Sequence, residues 1–182
     1  MEPSTIFIIF IFLLYFIWKL SSIAGRLDRT HIRRDAALNS FRQYLAIRAT
    51  ATAKLVTSGV LDLETAEKLR NELENVITES EKTFLDYLLA ESRFTGLLCD
   101  EFDDAKKLEQ ILNNTKSADL IFELVRSIKR LQLARRFHND AVGASQLLHK
   151  RFVVRLFRLA GNTPEPKAID MDDRVPTSFQ NL

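Results

Sequence analysis

The sequence predicts an all-α protein: an N-terminal transmembrane helix followed by an elongated antiparallel bundle of three to four helices. Three observations carry this. Residues 6–18 form one unbroken apolar run, IFIIFIFLLYFIW. No proline lies between Ser4 and Thr163, and only Gly25, Gly59, Gly96, Gly143 and Gly161 punctuate the chain. Downstream, apolar residues recur at helical spacing, and nothing alternates with the period of two that a half-buried strand requires.

The apolar run alone is short for a bilayer. Thirteen helical residues rise about 20 Å, against a hydrocarbon core of about 30 Å. The flanks complete it: Pro3, Ser4 and Thr5 on one side, and Lys19 to Ala24 on the other, with Lys19 snorkelling its ammonium to the interface. Tyr15 and Trp18 sit where an aromatic belt belongs. Residues 1–25 therefore read as the anchor. A cleaved signal peptide competes, because Ser22-Ile23-Ala24 offers small residues before a cut. Against it, no Lys or Arg precedes the core, the core is bulky and aromatic, and Lys19 interrupts the approach. Only Glu2 and the terminal amine lie ahead of the span, whereas Lys19, Arg26, Arg29, Arg33 and Arg34 follow it. The positive-inside rule then places the N-terminus outside the cell membrane and the bundle in the cytoplasm. The single Cys99 has no intramolecular disulfide partner and reads as a buried small hydrophobe.

Residues 26–160 read as the bundle. A first helix over 26–57 carries the stripe Leu27, Leu38, Phe41, Leu45, Thr52 and Leu55, and Gly59 is its left-handed cap. It joins the span through Gly25 alone, so the two can form one rod. Asp62 caps a second helix expected to run to Ser92, with the stripe Ala66, Leu69, Leu73, Val76, Ile77, Phe84 and Leu88. A short third helix is expected over 101–112. Ser117 caps a fourth, to Lys150, with the stripe Ile121, Leu124, Val125, Ile128, Leu131, Ala134, Val142 and Leu148. Polar residues on these stripes, Arg48, Thr52, Arg135 and His138, weaken a strict coiled-coil reading. Residues 161–182 carry Pro164, Pro166 and Pro176 among acidic residues and read as a disordered tail.

Charge is segregated along the chain: the net is +5 over 26–54, −8 over 62–109 and +7 over 116–158. Intramolecular pairing between basic and acidic helices explains this pattern. A nucleic-acid face is not expected, since the total is only +2 and the basic stretches lack interleaved exposed aromatics. No catalytic constellation, phosphate-cradling loop, cofactor motif or metal-ligand spacing is legible. His138 and His149 share a helix face but lie about 16 Å apart along its axis, too far to hold one ion at about 2 Å from each. Glu101, Asp103 and Asp104 suit a helix N-terminus.

Two groups stand out as candidate surfaces. Arg135, His138 and Asn139 share one helix face, and they either fix helix register or bind an anion or a partner carboxylate. In residues 151–160, Phe152, Leu156 and Leu159 recur on one side and Arg151, Arg155 and Arg158 beside them. That is an amphipathic helix that either caps the bundle or lies in a membrane interface.

The string Ala134-Arg135-Arg136-Phe137-His138-Asn139-Asp140-Ala141-Val142 resembles the last long helix of the LemA family, most of all its actinobacterial branch. The stretches Leu156 to Gly161, Gly25 to Arg29 and Ile169 to Asp173 are similar to that branch as well, so the resemblance runs from the anchor to about Asp173. It implies an N-out anchor with a cytoplasmic antiparallel helical bundle, and no defined activity. The chain departs from the wider family at Ile47 to Ala53 and at Gly143-Ala144-Ser145. The expected function is thus a non-enzymatic, single-pass interaction or scaffold module that uses the lipid bilayer and a protein partner or self-association, without a cofactor. The alternatives are a membrane-associated regulator or subunit of an enzyme, and a secreted bundle should the N-terminal segment be cleaved.

Overall fold

The computed structural model describes residues 3–113, 115–157, 166–180 and 182. Its regular elements are α1 (Pro3–Thr57), α2 (Leu63–Ser80), α3 (Phe84–Phe102), α4 (Ala105–Leu112), α5 (Thr115–His149), α6 (Phe152–Leu156) and a 3-10 turn (Thr177–Phe179). Among the described residues there is no strand. The protein is all-α, with a helical bundle and one helix, α1, long and apolar enough to cross a membrane.

The helix ends follow from local chemistry. α1 passes through Gly25 without a break and stops before Gly59, whose φ of 72° is the left-handed conformation that glycine adopts at little cost. The Asp62 side chain accepts from the Thr65 backbone N–H at 2.8 Å and opens α2. The helix expected to run unbroken over 62–92 is instead two. Thr83, in an extended conformation, accepts from the Asp86 backbone N–H, and its hydroxyl donates to the Asp86 carboxylate. This cap starts α3, which then continues through Gly96 to Phe102. Two residues assigned to the second stripe, Ile77 and Phe84, flank this break and are exposed. α4 starts later than expected, because Asp104 caps it by accepting from Lys106 and Lys107 N–H groups.

By contacts the chain divides into two compact units, Met1–Leu38 with His138–Ala168, and Asn39–Phe137 with Ile169–Leu182. In the second unit, pairs Thr65–Glu101 and Glu72–Arg93 run α2 antiparallel to α3. The Lys54–Glu123 pair, with Ile47 beside Arg126 and Arg130, runs α1 antiparallel to α5. Phe41, Leu45 and Leu55 of α1, Leu69 and Val76 of α2, Phe94, Leu98 and Phe102 of α3, and Ile121, Leu124, Ile128 and Leu131 of α5 are all buried. Burying one stripe from each helix is what makes such a bundle stable.

The C-terminal segment departs from the expected disorder. Residues 161–165 lie outside the described residues, but 169–180 pack on the second unit and bury Ile169, Met171 and Phe179, the last within the 3-10 turn. The Phe179 ring packs 5.3 Å from that of Phe102. The Asp172 backbone N–H donates to Ser92 Oγ, and Ser178 donates its hydroxyl to the Phe102 carbonyl. Three apolar anchors and a few backbone bonds hold a strap whose average composition is polar.

In the first unit, Leu27 of α1, Val142 and Ser145 of α5, and Val154 of α6 are buried. By contrast, every residue from Ile6 to Trp18 on α1 is exposed.

Candidate functional site

The signature residues on α5 have separate partners. Arg135 is half-buried, and its Nε donates to Asp173 Oδ2 at 2.8 Å; Gln132 Nε2 donates to the Asp173 carbonyl at 3.3 Å. The guanidinium therefore clamps the C-terminal strap. His138 is buried, 4% exposed. Burial holds its imidazole below the ordinary 6.5, opposed by hydrogen bonds with the backbone at Arg34 and Lys167. Its Nδ1 has no hydrogen-bond partner. Asn139 is half-buried and engaged. With Arg135 committed to a carboxylate of this same chain, the face reads as an internal lock.

The largest buried polar side chain, Arg48, stood out on its stripe in the sequence, but its partner did not. Arg48 of α1 and Glu91 of α3 form an ion pair with both side chains 1% exposed. Arg48 also donates from Nη1 to Thr95 Oγ1 at 2.7 Å and from Nη2 to the Glu91 carbonyl at 3.3 Å, and its guanidinium lies 4.9 Å from the Phe94 ring centroid. Arg48 Nε and Glu91 Oε1 remain without partners. Burial, followed by the Glu91 charge, pushes the Tyr87 phenol well above its usual range. Arg48 and Glu91 stand 43 positions apart in sequence, and no local pattern announces the pair.

A polar cluster links α2, α3 and α4. Glu101 accepts from Thr65 at 2.8 Å, Lys68 at 3.1 Å and Lys107 at 3.3 Å. Burial works to raise its carboxyl, but these bonds outweigh it and hold the group below the usual range. The Thr65 backbone N–H is the main cause holding Asp62 down at about 2. The acidic trio therefore serves helix starts and cross-links: Asp104 caps, Glu101 bridges, and Asp103 accepts from the Thr177 backbone N–H.

Cys99 lines a cleft of about 600 Å³ between α3, α5 and the strap, with Asp103, Lys129, Gln132, Arg174, Val175, Thr177 and Gln180. Burial raises its thiol, and the lining contains no histidine to act as a base.

The structure brings together two histidines that sequence spacing kept apart. His31 of α1 and His149 of α5 lie with Nε2 atoms 3.1 Å apart and rings 5.4 Å apart. Among the described residues, no group of three His, Cys, Asp or Glu side chains converges on a metal position.

The amphipathic segment is described only in part. α6 covers Phe152–Leu156, buries Val154 and leaves Phe152, Leu156, Arg151 and Arg155 exposed. Arg158 and Leu159 lie outside the described residues. The Phe157 ring meets Phe16 edge to face at 5.6 Å. Phe16 belongs to the apolar run, so α6 stands beside that run.

No family model matches the chain, and no curated protein and no solved structure matches it.

Proposed function

We propose that this chain is a single-pass, LemA-like membrane protein whose bundle is a non-enzymatic cytoplasmic interaction or scaffold module. The observation that carries the reading is α1. Its first part exposes thirteen consecutive large apolar residues, Ile6 to Trp18, a display that only a lipid environment makes favourable over such a length. The same helix continues into a bundle whose titratable groups are largely tied to one another. The five basic residues that follow the apolar run support an inside location for the bundle.

The lipid contact extends beyond α1. The Phe157–Phe16 contact supports this reading, since exposed Phe152 and Leu156 suit acyl chains and Arg151 and Arg155 suit anionic headgroups. A protein partner is supported by α5, where exposed Phe122, Leu133 and Phe137 alternate with Arg126, Lys129 and Arg130 along one side. This apolar and basic strip fits an amphipathic acidic segment.

The reading is tested by affinity purification of the full chain from detergent-solubilised native membranes. A specific co-purifying protein, lost with Phe122→Ser and Leu133→Ser but retained with Arg174→Gln, is the expected result. The same set of captured proteins with all three variants overturns the assignment of the α5 strip. Protease accessibility in inverted against right-side-out vesicles tests the orientation, with bundle cleavage expected only in the inverted ones.

A further inference from the structure

We propose that the basic strip on α5 docks the acidic exposed face of α2 on a second copy of this chain. The assignment rests on the α5 strip being a protein-binding surface and names what it binds. Opposite charges are left over on the two helices. On α2, Glu64, Glu72 and Glu79 pair with Lys68, Arg93 and Lys82. Glu67 and Glu74 of α2, and Glu81 at its end, are exposed and have no basic partner among the described residues. On α5, Glu123 is taken by Lys54, and Arg135 pairs with Asp173. Arg126, Lys129 and Arg130 are exposed and have no acidic partner among the described residues. Folding of one chain therefore uses only part of the charge segregated along it.

The two faces are complementary in pattern as well as in sign. Glu67, Glu74 and Glu81 recur every seventh residue, so they share one side of the helix at steps of about 10 Å. Ile77 lies between the last two and is 62% exposed. Arg70 falls on the same side and leaves the face net acidic. On α5 the order is reversed, with bases set between apolar residues. Arg126, Lys129 and Arg130 lie between exposed Phe122 and Leu133, beside a groove of about 340 Å³. An aliphatic side chain flanked by carboxylates suits such a groove: its apolar atoms leave water, and the carboxylates meet arginine forks. α2 is 18 residues long, longer than the strip from Phe122 to Leu133 that it has to cover. Arg126 and Arg130 are one helical turn apart and repel each other while unpaired, and the incoming acids remove that cost.

The test is sedimentation velocity of the purified full chain in detergent micelles, with no other protein present. The wild type is expected to associate as its concentration rises, and to associate less as salt is raised, because the contact is charged. Arg126→Glu with Arg130→Glu weakens self-association by about tenfold or more, and so does Glu74→Lys with Glu81→Lys. All four residues are exposed, and circular dichroism should find both variants helical. Mixing the two variants restores association, because the reversed strip of one meets the reversed α2 of the other. A wild type that stays monomeric overturns the proposal, as does association that neither variant weakens. Two variants that fail to associate and fail to rescue one another overturn the pairing of α5 with α2. A different protein captured from membranes through Phe122 and Leu133, with the purified chain monomeric, overturns the second copy as partner while leaving the strip a docking surface.

Discussion

The two parts of α1 put the same backbone to opposite uses. From Ile6 to Trp18 no side chain is buried, and the residues are apolar all round. From Phe41 to Val56 the apolar residues keep to one stripe, and Phe41, Leu45, Ala51, Leu55 and Val56 are buried against other helices. A helix that is apolar on every side needs an apolar solvent, whereas one with a stripe supplies half of a core. The difference lies in the pattern, since both parts are comparably helical. Charge follows the same division: the stripe region encloses Arg48 on Glu91, while Lys19, at the end of the apolar run, is exposed.

Breaking the enclosed pair should have the largest effect on the bundle. Glu91→Ala leaves an uncompensated guanidinium in the core and is expected to cost about 3–5 kcal/mol. Arg48→Met combined with Glu91→Leu should recover most of that loss, because a well-packed apolar replacement of a buried pair is often neutral. Chemical denaturation of the detergent-solubilised chain measures both. A double variant as unstable as Glu91→Ala alone would show that the pair is a net source of stability. Next in size, Phe179→Ala empties a fully buried site against Phe102. It should cost about 3 kcal/mol and expose the strap to proteolysis, read by limited digestion.

These two sites mark what was and was not legible in the sequence. The stripes of α1 and α5 were legible, because long helices repeat their pattern many times. The α2–α3 break was missed because Glu81-Lys82-Thr83 contains neither Gly nor Pro. Its signal was the Thr-x-x-Asp cap at Thr83 and Asp86, which bonds in both directions. The strap was read as disorder because its anchors, Ile169, Met171 and Phe179, are few and widely spaced in a proline-containing stretch. The pairs Arg48–Glu91 and His31–His149 join residues far apart in sequence, and local periodicity carries no information about such partners. The candidate face at Arg135 was found, but its partner was not, since Asp173 lay in the segment set aside as tail.

A smaller effect belongs to that clamp. Arg135 and Asp173 are partly exposed, so Arg135→Ala should cost about 1–2 kcal/mol after solvent screening, again by denaturant midpoint. Strap digestion should accelerate in parallel. Stability unchanged by this substitution would reduce the signature face to a surface feature.

The smallest effect concerns pH. His138 is held below its ordinary 6.5 by burial, so the folded state binds fewer protons than the unfolded one. Its contribution is complete above 6.5 and declines as pH falls below it. His138→Leu should flatten the slope of stability between about pH 6.5 and 5, measured by melting at several pH values. An unchanged slope would assign the pH dependence to other groups, His31 first, whose imidazole is also held low.

The contrast between the two parts of α1 rests on the exposed run being in lipid, and alkaline carbonate extraction of native membranes tests it most directly. The full chain should stay in the pellet, and replacing Phe10, Leu13 and Leu14 with Asp should release it into the supernatant with the bundle still folded by circular dichroism. A wild-type chain released by carbonate, or recovered as a soluble fragment beginning near Gly25, would contradict the account.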